Sequence, residues 1–363
     1  MKSNYKRLGD YIQPVIGRNN TLGDLPLVGL SIQKKFIPSI ANTIGTDMST
    51  YKIIEKNQFA YGPVTSRNGD KITIALFSDY EKALISQAYI PFEVKDTNEL
   101  EPEYLMMWFC RPEFDRYARF KSHGSAREIF DWEEMCNVQL PIPSIEKQRE
   151  IVEEYNTIQN RITLNQNLIQ KLESTAQAIY KEWFVDGIDV ENLPDGWRIN
   201  CFDELIEIES GKSVNEKREF KNNEFKYPIY GAGGLMGYSN FFLKNEKLLS
   251  TGRVGTHGKV QRIDFPCWLS DNTLVITSSF YEYVYQILLR INYDEINRGG
   301  VQGLITQTDI KNLQILIPKK SILDKFEKQS SKVFNLQSNI IKDNQKLIEM
   351  KELLLSKLAT IEK

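Results

Sequence analysis

Two long tracts, 144–186 and 321–363, constrain the fold more than anything else in this chain. Each lacks Pro and Gly and carries apolar residues at alternating spacings of four and three. In the first the series is Ile151, Tyr155, Ile158, Ile162, Asn165, Ile169, Leu172, Ala176, Ile179 and Trp183. In the second it is Ile322, Phe326, Gln329, Val333, Leu336, Ile340, Asp343, Leu347, Met350, Leu354, Lys357 and Ile361. Such spacing predicts a coiled-coil seam on a helix of about 40 residues, on the order of 60 Å long. Ser321 with Asp324 reads as a capping box for the second helix, and Gly187 as the stop of the first.

A lone helix of this kind would leave its stripe in water, so each needs a partner. Because about 130 residues lie between the tracts, pairing with each other is expected to be antiparallel, with a globular domain at either end. Asn165 and Asp343 would then fix the register. The first tract holds 5 Lys+Arg and 7 Asp+Glu, while 319–363 holds 10 and 6. That difference in sign favours pairing within the chain over the alternative, homodimerisation.

The rest of the chain repeats itself. RLGDYIQPVIGR from Arg7 has the shape of CFDELIEIESGK from Cys201, with Gly17 over Gly211. LISQAYI from Leu84 matches WLSDNTLVI from Trp268, with Ser86 over Ser270, and GSAREIF from Gly124 matches GGVQGLI from Gly299. CNVQLPIPSIEKQREI from Cys136 matches KNLQILIPKKSILDKF from Lys311. The offset falls from 194 to 175 along the series, so the first copy is expected to carry about 19 extra residues of loop. The expected organisation is 1–143, a first domain; 144–186, a central spacer helix; 187–320, a second domain; and 321–363, a C-terminal spacer helix.

Bulk properties set few limits on function. A length of 363 residues suits two domains, and the net charge of −2 gives no global sign of a polyanionic partner, although a local basic face is sufficient. No apolar run approaches the roughly 18 residues of a membrane span, and no signal-peptide pattern is present. The four cysteines are scattered. A reduced, cytoplasmic protein is expected.

Catalytic motifs fail one after another. SGKS at Ser210 lacks the earlier glycine of a phosphate-binding loop, since Ile206 stands there. YGAGGLMGY from Tyr230 puts Met236 where a dinucleotide fingerprint needs its third glycine, and reads as a flexible loop that approaches something closely. Two histidines, His123 and His257, do not make a triad or a metal site. Glu93-Val94-Lys95 with Asp79 has the form of a metal-nuclease remnant but no counterpart in the second copy. No catalysis and no metal are expected of this chain.

Two domains, each followed by a long helix, resemble the specificity subunit of type I restriction–modification enzymes. NVQLPIPSIEKQREIV with its echo NLQILIP, LIQKLESTAQAIYKEWFVD, LPDGW, YPIYGAGGLMGY, LLSTGRVGTHGKV, CWLSDNTLVI and GGVQGLITQTDIKNLQILIP carry the resemblance. The first copy departs more, with FAYGPVTSRNGDKITI at the matching place. The resemblance implies an α+β fold with two target-recognition domains in pseudo-twofold repeat, separated by two long antiparallel coiled-coil helices. It implies that each domain reads one half of a bipartite double-stranded DNA target. The helix pair would set the gap and dock methyltransferase subunits, two of them, with restriction/translocase subunits in the full complex. S-adenosylmethionine, ATP and Mg would be bound by those partners, and none by this chain. Alternatives are a target-recognition polypeptide of another modification system, a nuclease or methylase, and a coiled-coil scaffold that binds no DNA.

Candidate DNA-binding residues are the polar and basic ones beside glycines in loops. In the first copy these are Arg18, Ser66, Arg67, Asn68, Lys71, Gln87, Ser125 and Arg127. In the second they are Lys212, Arg253, Thr256, His257, Lys259, Asn272, Gln302, Thr306 and Gln307. Arg67 and Arg253 lead, since both sit in Gly-bearing loops at matching places. The apolar flanks of STGRVGTHGKV predict a hairpin-like loop on a rigid base, its glycines leaving the backbone bare and mobile.

The spacer reading is testable from sequence alone. Four residues inserted after Asn165 advance a helix by about 6 Å while rotating it by only about 40°. The expected result is a longer gap in the methylated motif with both halves unchanged, read by methylome sequencing; an unchanged gap in an active complex opposes the ruler.

Overall fold

The structure, a computed structural model, describes residues 5–20, 22–39, 45–66, 68–124, 127–297 and 303–360. The chain divides into two compact units: Met1–Leu164 with Asp343–Lys363, and Asn165–Lys342. This division differs from the four consecutive segments expected, because each unit takes half of both long helices.

Unit 1 runs β1 (Tyr5–Arg7), β2 (Ile12–Pro14), β3 (Leu27–Leu30), β4 (Phe36–Pro38), β5 (Lys52–Glu55), β6 (Phe59–Tyr61), β7 (Ile74–Leu76), β8 (Lys82–Ile85) and β9 (Ile90–Val94). Helices α1 (Pro102–Phe109), α2 (Pro112–Phe120) and α3 (Trp132–Asn137) follow, then β10 (Gln139–Pro141) and the long α4 (Ile145–Phe184). The strands form sheets in the orders β2-β9-β6-β7, β4-β3-β8-β5 and β1-β10. Prolines at the first position start α1 and α2, where the missing N–H costs nothing. Phe59 stacks on Phe92 at 4.9 Å and meets Phe109 edge-on at 5.8 Å, joining the first sheet to α1.

Unit 2 repeats this plan. It runs β11 (Arg198–Cys201), β12 (Glu207–Ser210), β13 (Tyr227–Gly231), β14 (Gly234–Ser239), β15 (Leu248–Gly252), β16 (Gln261–Ile263), β17 (Trp268–Leu269) and β18 (Thr273–Thr277). Then come α5 (Tyr281–Leu288), α6 (Gln307–Lys311), β19 (Gln314–Ile317) and α7 (Lys320–Lys357). The sheets are ordered β12-β18-β15-β16, β14-β13-β17 and β11-β19. Strand for strand this is unit 1, without counterparts of β5 and α2 among the described residues. Their absence accounts for part of the length difference, which is not a single loop. The offset is 190 where Val64 and Val254 make matching bridges, 179 at the starts of α1 and α5, and 175 where those bridges end at Ile129 and Leu304.

YGAGGLMGY is a β-hairpin, not a flexible loop: Tyr227 faces Ser239 and Gly231 faces Gly234 across β13 and β14. Ser86 and Ser270 match as expected, each carbonyl accepting from the N–H three residues on, Tyr89 at 3.1 Å and Thr273 at 3.0 Å. Gly17 and Gly211 do not match. A Cβ on Gly211 would lie 2.1 Å from the Ser270 carbonyl, whereas Gly17 has open space.

Within each unit the helix halves pack antiparallel. In unit 1, Lys351 of α7 donates to Gln159 of α4 at 2.9 Å, and Leu355 and Leu358 share the core with Ile151. In unit 2, Gln337 donates to the Ile169 carbonyl at 3.4 Å, while Phe326 packs on Tyr180, Trp183 and Phe184. Every expected seam position of α4 is buried or half-buried. On α7 the seam lies one position later for much of its length. Ser330, Phe334, Ile340, Asn344, Leu355 and Leu358 are buried, while Gln329 and Asp343 are exposed and Leu336 and Met350 are 48% and 52% exposed. The polar seam residue is therefore Asn344 rather than Asp343. The sequence has apolar residues on two adjacent stripes, and packing selects one.

The helix ends also refine the sequence reading. Gly187 takes the left-handed φ of 71° expected past the end of α4. Helix α7 starts at Lys320, so Ser321 sits inside the first turn and not at the cap. The capping box occurs instead on α6, between Thr306 and Asp309.

Unit 2 is tied to its half of α7 by charge as well as by rings. Glu282, with 1% of its side chain exposed, pairs with Lys247 at 2.9 Å and with Arg262, whose guanidinium lies 3.6 Å from the Phe334 ring centre. Glu327 of α7 accepts from the N–H groups of Glu282 (3.1 Å) and Tyr283 (2.9 Å), capping α5 where Phe280 has no side-chain acceptor. Burial, aided by the nearby Glu282 charge, pushes the Glu327 carboxyl from 4.5 up to about 7. Between those values the folded chain holds a proton that the unfolded chain has released, so this group makes stability fall as pH rises from about 4.5 to about 7. Urea unfolding should show E327A less stable by about 1–3 kcal/mol, from two orphaned N–H groups, and E327Q with a flatter pH profile across that window.

Candidate nucleic-acid interface

In unit 1 the sheet β2-β9-β6-β7 has one end from which several loops leave. Pro14 faces Phe92 as β2 ends, and Tyr61 faces both Ile90 and Ile74 as β6 ends. Residues after 14, the loop 62–73 and the turn 86–89 therefore share that end. They carry Arg18, Ser66, Asn68, Lys71 and Gln87. The loop 62–73 is further joined to the segment 123–130: Thr65 donates to the Glu128 carbonyl at 3.0 Å and Phe130 to that of Pro63 at 2.8 Å. This brings Arg127 to the same surface. Arg18, Ser66, Lys71, Gln87 and Arg127 are exposed, whereas Asn68 is half-buried and spends its amide on the Val64 carbonyl at 3.1 Å. Arg67, Ser125 and Gln302 lie outside the described residues.

Unit 2 places its candidates by the same construction. Ser210 faces Leu274, Gly252 faces Thr273 and Ser250 faces Gln261, so 211–226, 253–260 and 270–272 leave one end of β12-β18-β15-β16. STGRVGTHGKV is the expected hairpin loop between β15 and β16. Gly252, however, is buried in the strand, and a Cβ there would lie 1.8 Å from the Thr256 carbonyl. The loop is held rather than bare. His257 turns back toward the Gly252 carbonyl, with Nδ1 at 3.4 Å, and Lys259 donates to the Gly233 carbonyl of the neighbouring hairpin. Thr306 is committed to the α6 cap and Gln307 to Ser210 at 3.1 Å.

Lys212, Arg253, Thr256 and Asn272 remain the presented groups. The Arg253 N–H donates to Asn272 at 2.8 Å and its carbonyl accepts from Ile305 at 3.0 Å, so its backbone is pinned on both sides. Its side chain is half-exposed and has no partner among the described residues. The same ladder in unit 1 runs from Phe130 to Pro63. Arg253 thus corresponds to Pro63, four positions before Arg67; the loops differ in length, and that shifts the register the sequence suggested. Sequence reading missed Arg116 and Arg119 of α2, which line a cavity with Lys71. They lie on a helix without glycine, where no loop signal marks them.

Other chemistry finds little support. Glu93 takes the amides of Gln13 (2.8 Å) and Gln58 (2.9 Å), while Lys95 donates to the Gly9 and Asp10 carbonyls, so the E-x-K triplet is engaged in the fold. Burial pushes the Cys110 and Cys136 thiols up, and that of Cys267 up to about 11, away from nucleophilic use. Among the described residues no group of three His, Cys, Asp or Glu is placed to hold a metal ion.

Comparison with known proteins gives a consistent result. The family model of the type I restriction modification DNA specificity domain matches twice, at residues 2–174 and 194–352. The type I restriction enzyme MjaIX specificity subunit of Methanocaldococcus jannaschii is 25% identical over 293 residues, covering 70% of this chain and 68% of that one. The HindI specificity subunit of Haemophilus influenzae is 25% identical over 158 residues, covering 43% and 34%. Among solved structures, the S subunit of a type I system from M. genitalium superposes with a TM-score of 0.61 at 13% identity, over 99% of this chain and 96% of that one. A chain from a study of type I complex assembly and conformational transition gives 0.50 at 18% identity, over 98% and 96%. At these identities the structures speak for the fold.

Arg253 generates the sharpest expectation here. If its guanidinium pairs with a guanine, R253A should weaken DNA binding by roughly 1–3 kcal/mol and relax specificity at one base. If it meets a phosphate, affinity falls evenly across sequences and the salt slope drops by about one unit. Titrations at several salt concentrations separate the two, and unchanged affinity and slope return Arg253 to an ordinary solvated side chain.

Proposed function

This chain belongs to the family of type I restriction–modification DNA specificity proteins, and on that footing we propose how it works. It is a type I specificity subunit with two recognition domains, and specificity subunits are non-catalytic DNA-recognition proteins. Unit 1 reads one half of a split target and unit 2 the other. The observation that carries this reading is the repeated geometry: in each unit the loops with unpaired polar and basic side chains leave the same end of the same four-stranded sheet. Backbone pinned by strand pairing presents side chains at low entropic cost, which favours base reading over diffuse charge attraction.

The chemistry belongs to partners. Methylation requires a base to leave the stack and enter a pocket, and that pocket and its S-adenosylmethionine would be supplied by modification subunits, two per complex. ATP and Mg would act on the restriction/translocase subunits. Exposed apolar side chains on α7 support docking there: Ile348, Met350 and Leu353 in unit 1, and Leu336 and Ile341 in unit 2. Work on DNA would place the chain in the cytoplasm; among the described residues no helix is long and apolar enough to cross a membrane.

The test is a domain exchange. Replacing residues 1–143 with the equivalent part of a relative should change one half of the methylated motif and leave the other, as read by methylome sequencing. Change in both halves or in neither opposes independent readers, and a wild-type chain that retains no genomic DNA in a sequence-dependent way opposes the reading as a whole.

A further inference from the structure

Phe120, the last residue of α2, is 80% exposed. Leaving such a ring in water forgoes burial worth roughly 2 kcal/mol, and α2 has Phe114 and Ala118 to face the core without it. The helix is fixed against the loop 62–73 at two levels. Buried Asp115 accepts from the Ile72 N–H at 3.2 Å and pairs with Lys34 at 2.8 Å, and just past the helix Thr65 donates to Ser122 at 2.9 Å. Phe120 lies between these ties. It lines a cavity of about 540 Å³ together with Lys71, Arg116 and Arg119. Arg116 and Arg119 are paired with Glu113 and Glu128, whereas Lys71 and Arg127 have no side-chain partner among the described residues.

An exposed apolar ring that shares its cavity with the unpaired Lys71, on a rigid helix end tied to the loop that also holds the segment of Arg127, suits a polyanion with stacked aromatic faces better than a protein surface. We propose, building on the DNA-recognition reading above, that Phe120 is a minor-groove wedge. Its ring stands against one base step of the half-site bound by unit 1 while Lys71 and Arg127 hold phosphates. Part of the sequence preference of that half-site then comes from how readily the step unstacks, at a position where no side chain hydrogen-bonds to a base edge. Among the described residues unit 2 has no counterpart of α2, so the effect belongs to the half of the target that unit 1 reads.

The experiment uses the full-length chain and fragmented genomic DNA, with retained fragments sequenced and a labelled consensus duplex made from them. F120A should fold as the wild type does, with the same thermal melt. It should bind the consensus about tenfold more weakly, the scale of one lost base–aromatic stack, and bend it less by end-to-end energy transfer. Its selected motif should loosen at one step of one half, and F120L should restore bend and motif. The emission of F120W, corrected for the wild-type tryptophans, should be quenched by the consensus duplex. Equal bend and affinity for F120A with unquenched F120W overturn the wedge, as does a uniform loss of affinity without change in bend, or loss of a protein partner with DNA binding intact. A wild-type chain that selects no sequence refutes the DNA-recognition reading itself, which is a different result.

Discussion

Burial of the apolar stripe on each long helix is the constraint on which the remainder of this structure depends. Neither α4 nor α7 can cover its own stripe, and neither globular part completes its core alone. Each unit solves both problems at once, taking the first half of the helix that follows its last strand and the second half of the other. In unit 1, Ile151, Leu355 and Leu358 join the core built by Phe59, Phe92 and Phe109. In unit 2, Tyr180, Phe184 and Phe326 join that of Tyr283 and Leu288. Helix and domain are thus one folding problem in each unit, and a change at Phe326 or Glu327 acts on both.

That rigid attachment gives the loops their meaning. A recognition loop gains specificity when the cost of ordering it has been met before the ligand arrives. The pinned backbone of Arg253, the Lys259 contact to Gly233 and the cap made by Thr306 and Asp309 all order the surface in advance. Thr306, Gln307 and His257 are spent on the shape of the loops, while Arg253, Lys212 and Asn272 are the groups left facing outward. Two copies of one scaffold with different loops are a physically economical way to read two different short sequences.

The repeat, the two long helices and their antiparallel pairing were legible in the amino-acid sequence because each depends on periodicity or on near-identical local strings, and both survive without coordinates. The match of Ser86 with Ser270 and the hairpin loop of STGRVGTHGKV were legible for the same reason: the residues that define each lie within a dozen positions. What the sequence by itself determined is thus local pattern and its duplication. Only the tertiary structure decided the rest. Packing chose which of two adjacent apolar stripes on α7 is buried, moving the polar seam residue from Asp343 to Asn344. Strand register aligned Arg253 with Pro63 and showed that Gly211, unlike Gly17, faces a carbonyl too close for any Cβ. Tertiary contacts also brought α2, with no loop signal of its own, beside the interface. These outcomes turn on contacts between residues far apart in the chain, whose energies no local string records.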